Sequence, residues 1–145
     1  MKTGHTEYSP DFKDSLGSAM AASRTSDFSS VLSICSTLDR EGPLCKPVQI
    51  LLVEALWKTG RINEALVRVR QATENFPHSE LLSLLLFQIL IEQDKVEEAK
   101  SEVLRFYLIH ASSDYDGIIQ DYGWDELKYL MHKNYESEKR GPSEY

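Results

Sequence analysis

A chain of 145 residues with 23 Asp and Glu against 16 Lys and Arg carries a formal net charge of −7 at pH 7 and a pI near 5.1. That balance argues against a nucleic-acid surface, which needs clustered positive charge to neutralise phosphates. The length suffices for one domain that buries its core without cross-links, so Cys35 and Cys45 read as reduced thiols of a cytoplasmic protein, and zinc is not expected.

Residues 1–11, polar and partly acidic, hold no apolar segment of the secretory kind and are expected to be flexible. Helical periodicity dominates from there on and strand-like alternation is almost absent, so the expected fold class is all-α. The first helix falls in FKDSLGSAMAASRTSD, whose Ser and Gly content makes it the weakest, since Gly costs about 1 kcal/mol inside a helix. A second helix follows in SDFSSVLSICSTLDREGP. The third opens at Pro47, where a missing N–H costs nothing, and runs to Lys58 before Thr59-Gly60 stops it. The fourth carries Ile62, Leu66, Val69, Ala72 and Phe76 on one stripe and ends at Pro77. Arg61, Arg68 and Arg70, hemmed by acids, read as a solvated face of it.

The fifth helix spans Glu80 to Gln93 and contains LLSLLLFQILI, residues 81–91, the longest apolar run. It is far shorter than the roughly 18–20 residues a membrane span requires, so membrane insertion is not expected. Asp94 and Lys95 make a turn into a sixth helix from Val96 to His110, with Val96, Ala99, Val103, Phe106 and Tyr107 facing inward. A C-terminal helix over residues 114–135, interrupted near Gly123, gathers Ile118, Ile119, Tyr122, Trp124, Leu127, Leu130 and Met131 on one stripe. The charged tail, residues 136–145, is expected to be disordered.

GRINEAL at 61–67 returns as DKVEEAK at 94–100 with one offset of 34 residues, and the same step back sets Phe28 under Ile62 and Pro43 under Pro77. Three units follow: 12–45, 46–79 and 80–113. A period in this range marks stacked repeats, in which no unit buries its apolar face alone. Ala65 and Ala99 are small because antiparallel helices approach closely only over short side chains.

These residues resemble the tetratricopeptide repeat: a small residue in the turn (Gly60), an acid-Ala pair opening the second helix (Glu64-Ala65, Glu98-Ala99), a second small position (Ala72) and a closing proline (Pro77). Gln49 and Leu52-Val53 stand where the repeat usually has Trp and Leu-Gly, and Ala111 replaces the last proline. The resemblance implies a right-handed stack of three antiparallel hairpins with a C-terminal capping helix. It further implies that first helices line a concave groove for a partner's peptide or helix. The groove-facing residues would be Leu16 and Met20; Ile50, Glu54 and Trp57; and Leu81, Leu84, Gln88 and Ile91, while Leu52, Leu56, Leu86 and Leu90 point toward packing. The set lacks the Lys and Asn with which related proteins clamp acidic chaperone tails.

Two occupants of such a groove compete. One is an amphipathic helix of a protein partner, which would make the chain a small cytoplasmic chaperone or binding module, alone or within a homo- or hetero-oligomer. The other is the chain's own C-terminal helix, which would make it a structural adaptor in a larger complex. A narrower similarity links Val31-Leu32, Leu38 to Gly42, Val48 to Leu52, Gly60 and Glu64-Ala65-Leu66 to acidic chaperones of type III secretion needle subunits. His5, His78, His110 and His132 are dispersed, and no phosphate loop, paired carboxylate or Ser-His-Asp order stands out, so no enzyme, metal or cofactor is expected.

Overall fold

Ser9 starts the first helix: its side chain accepts the Phe12 N–H at 3.1 Å and Pro10 occupies the first turn. Helix α1 therefore spans Pro10–Arg24, and the last two residues of the segment expected to be flexible are helical. The computed structural model describes residues 8–130; expectations for residues 1–7, for 131–135 of the C-terminal helix and for the tail at 136–145 lie outside them. Further along are α2 (Phe28–Glu41), α3 (Lys46–Lys58), α4 (Ile62–Asn75), α5 (Glu80–Glu92), α6 (Val96–Ile109), α7 (Ser113–Tyr122) and α8, described over 125–130. Among the described residues the fold is all-α, with no strand.

The hairpin turns share one backbone device. Ser26, Gly60 and Asp94, each 34 residues from the last, adopt φ of 61°, 81° and 58°. The next N–H returns in each case to a carbonyl five residues back: Asp27 to Ala22 at 2.9 Å, Arg61 to Leu56 at 2.8 Å, Lys95 to Leu90 at 2.9 Å. This left-handed stop satisfies carbonyls that the helix end would otherwise orphan. Gly123 (φ 68°), with Trp124 N–H on Ile119 O at 2.9 Å, is a fourth copy only 29 residues further on. The expected C-terminal helix is thus a fourth, shortened hairpin of α7 and α8.

Only backbone strain distinguishes residue types at Gly60, because a Cβ there meets nothing within 4 Å. Gly60→Ala should lose about 1 kcal/mol, and Asp94→Gly should gain about 0.5 kcal/mol after its larger chain entropy is offset. Urea midpoints of the two variants check both signs.

The chain divides into two compact units, Met1–Phe76 and Pro77–Tyr145. In the first, α1 packs on α2 and α3, α2 on α3, and α3 on α4, so successive first helices are neighbours. Its interior runs from Phe12, Ala19, Val31, Cys35 and Leu38 to Cys45, Val48, Leu52 and Ala55. Ala65 and Ala72 are fully buried, as close hairpin approach requires. Both cysteines are buried and free; burial, then Cys45 and Asp39, push the Cys35 thiol up to about 11, which keeps it protonated and unreactive.

In the second unit α5 packs on α6. Leu82, Leu86, Ile89, Leu90, Ala99, Val103 and Phe106 fill the interior, and Tyr115, Ile119, Trp124 and Leu127 of the last hairpin are buried with them. Phe87 meets the rings of Tyr115, Tyr122 and Trp124 edge-on, each at 6.0 Å. The expected inward stripes are not buried throughout. Val96, Tyr107 and Ile118 are half-buried, the Tyr107 hydroxyl reaching out to Asp116 at 2.7 Å, and Leu130 and Tyr122 stay exposed, the latter although its ring meets Phe87.

Candidate functional site

The first helices carry the residues expected to meet a partner. In the first unit Met20 is exposed and Leu16, Ile50, Glu54 and Trp57 are half-buried; in the second Leu81 and Gln88 are exposed and Leu84 and Ile91 half-buried. None of the nine is fully buried, although Leu16 packs against the interior of the first unit, whereas Leu52, Leu56, Leu86 and Leu90 are buried. One side of each helix is therefore spent on packing, and a second, largely apolar side is left partly accessible.

The face in the first unit has a polar seam. Ser23 Oγ donates to Glu54 Oε1 at 3.1 Å, tying α1 to α3 between the apolar positions. Lys58 Nζ lies 4.5 Å from the Trp57 ring centroid, which sets a cation at its rim. In the second unit Leu81 is 51% exposed on the first turn of α5, while the last hairpin takes the Ser83 and Phe87 side of that helix. Leu81 and Gln88 thus stay exposed beside the contact that this hairpin makes with Phe87, while Leu84 and Ile91 are half-buried.

Sequence reasoning missed three polar clusters. Gln49, almost fully buried, donates to Asp39 Oδ1 at 2.6 Å, and Arg68 donates to Asp39 Oδ2 at 3.0 Å and to Gln49 Oε1 at 3.4 Å. Arg68 is therefore a strut between α2, α3 and α4 and not part of a solvated face; Arg61 is exposed and pairs with Glu64 at 2.7 Å, as expected of such a face. The second cluster is deeper. Tyr115 OH and Ser83 Oγ lie 2.6 Å apart, Ser83 Oγ donates to Glu102 Oε2 at 2.6 Å, and Arg105 grips both oxygens of that carboxylate at 2.6 and 2.8 Å. Because a carboxylate only accepts, the Ser83 proton faces Glu102 and Tyr115 donates to Ser83. Arg105 also donates to the Pro77 carbonyl at 3.0 Å.

Burial raises the Tyr115 hydroxyl well above its ordinary range, so it stays a donor throughout. A serine and carboxylate this enclosed act as a lock between α5, α6 and α7. The one signal for it was Ser83, a hydroxyl inside an apolar run. The third cluster is His78 with His110, brought to 3.0 Å although they stand 32 residues apart. Elsewhere, Leu56, Asn63, Glu64, Val67, Arg68 and Gln71 line an open depression on α4. Among the described residues no group of three or more His, Cys, Asp and Glu could hold a metal ion, and no helix is long and apolar enough to cross a membrane.

Comparison of the chain with known protein families, with curated proteins and with solved structures returns no match.

Proposed function

We propose that this chain is a non-enzymatic protein-binding module of the tetratricopeptide kind, in which the accessible apolar side of the first helices within each unit holds an amphipathic segment of a partner. One observation carries the reading: leucines turned toward the hairpin partner are buried, while Leu16, Met20, Ile50, Trp57, Leu81, Leu84 and Ile91 on the same helices are not. A partner helix with apolar anchors three and four residues apart matches that spacing. The reading that the chain's own C-terminal segment covers this side is less well supported, because the last hairpin engages Phe87 and leaves Leu81 and Gln88 exposed.

A small chaperone of the cytoplasm is the natural role for such a module, and a type III secretion needle subunit is the narrowest form of its partner; the support for that form is the sequence pattern alone. The test is co-purification from the native cell. A stoichiometric partner should be lost with the Trp57→Asp/Leu84→Asp pair and kept with Val67→Asp, an exposed site on α4. Circular dichroism should stay unchanged in both. Equal retention of the partner by the two variants would rule this side of the helices out.

A further inference from the structure

His78 lies in the short segment before Ser79, the N-cap of α5, and His110 is the C-cap of α6. Both rings are exposed, and His78 Nδ1 faces His110 Nε2 at 3.0 Å, with centroids 5.1 Å apart and planes at 70°. Neither ring hangs from a free loop. His110 lies against the buried Phe106 ring at 5.6 Å, and the Pro77 carbonyl next to His78 is held by Arg105, itself gripped by Glu102. The buried lock therefore anchors the backbone beside His78, and Phe106 backs the His110 ring.

The spacing of the two imidazoles has a second use. Metal–imidazole bonds of about 2.0–2.1 Å, meeting at angles between a right angle and the tetrahedral value, put two nitrogens about 2.8–3.4 Å apart. The pair's 3.0 Å separation falls within this range, and both lone pairs converge on one ion once each ring rotates away from the line between the two nitrogens. Without metal the facing nitrogens share one proton in an N–H···N bond. On binding, that proton passes through solvent to the outer nitrogen of its own ring, and the neutral pair takes up the cation with no net proton change. Imidazole selects Cu2+, Ni2+ or Zn2+ over Mg2+ and Ca2+, which require oxygen, and Cu2+ stands highest in affinity. With no third protein ligand among the described residues, the other positions fall to water or to a partner's donor.

We propose that His78 and His110 form an open two-imidazole chelate for a borderline divalent cation, in the order Cu2+ above Zn2+. The inference is independent of the apolar faces of the first helices. It is tested on the full chain, free of any affinity tag, by titration with Cu2+ and separately with Zn2+, read by calorimetry and by broadening of imidazole NMR signals. One Cu2+ should bind and broaden His78 and His110 first. His78→Gln and His110→Gln should each weaken binding at least about tenfold, since even outer partners of a ligand cost 10- to 100-fold. A His5→Gln/His132→Gln variant should bind as the parent does. Cu2+ should raise the melting temperature of the parent and not of His78→Gln. Should a glutamine variant fail to fold, His78→Asn and His110→Asn take its place. Undiminished binding without the pair, or loss of binding in the His5/His132 variant, would overturn the proposal.

Discussion

Arg105→Met is expected to lower stability by about 3 kcal/mol, because it strands the Glu102 carboxylate, which is only 7% exposed. Ser83 alone would then remain on that carboxylate, and the Pro77 carbonyl would lose the Arg105 donor as well. Breaking a buried pair from one side costs about 3–5 kcal/mol. The lower end applies here, since a third of the Arg105 side chain reaches solvent. Removing both charges behaves differently. Glu102→Leu/Arg105→Met should recover part of the loss, because no unpaired charge stays inside and Tyr115 still donates to Ser83 at 2.6 Å, while the Ser83 hydroxyl loses the carboxylate that accepted its proton. Urea unfolding of the two single variants and the double variant gives the coupling. Hydrogen exchange locates it: amides of α7 should lose protection first, since Tyr115 is that helix's link to the cluster. A single-variant loss under about 1 kcal/mol would mean that water already solvates the carboxylate, and the lock would be no lock.

The second large effect is expected at Gly42, for reasons that have nothing to do with backbone freedom. Its φ of −101° and ψ of −179° are open to any residue. A Cβ there would press on the Phe12 ring, 2.8 Å from Cδ2 and closer still to Cε2, and would stand 2.9 Å from the Leu38 carbonyl oxygen. The carbonyl cannot retreat, because it accepts the Gly42 N–H at 2.8 Å. Phe12 has little room either: it is 7% exposed, and the Tyr8 ring stacks on it at 4.8 Å. Gly42→Ala should therefore cost about 2 kcal/mol, the usual size of overpacking. Phe12→Leu, mildly destabilising alone, should restore part of that loss when combined with it, and thermal melts of the four proteins measure the interaction. A silent Gly42→Ala would mean that the start of α1 does not dock where Phe12 places it.

Much of this fold was legible in the chain. The boundaries of α3 to α6 follow from punctuation: Pro47, Gly60, Pro77 and Asp94 each act within a residue or two, and the observed ends differ from the expected ones by one residue. Two boundaries slipped for identifiable reasons. Ser9-Pro10 is a helix start that the Ser- and Gly-rich segment after it obscured. The last hairpin broke the 34-residue register by five residues, so a period search stops at Asp94 while the left-handed turn recurs at Gly123. The sides of the first helices were also legible, since the 3.6-residue period alone separates Leu52 and Leu56 from Ile50 and Trp57.

What the sequence by itself determined, then, is the helices, their hairpin pairing and the side of each that has packing to do, because those depend on residues within a few turns of one another. The partners of Ser83, 19 and 32 residues away, the strut from Arg68 to Asp39 and the meeting of His78 with His110 were decided only in the tertiary structure. A hydroxyl or an imidazole carries no local sign of its distant partner; which polar groups must find each other is fixed only once packing removes water from around them.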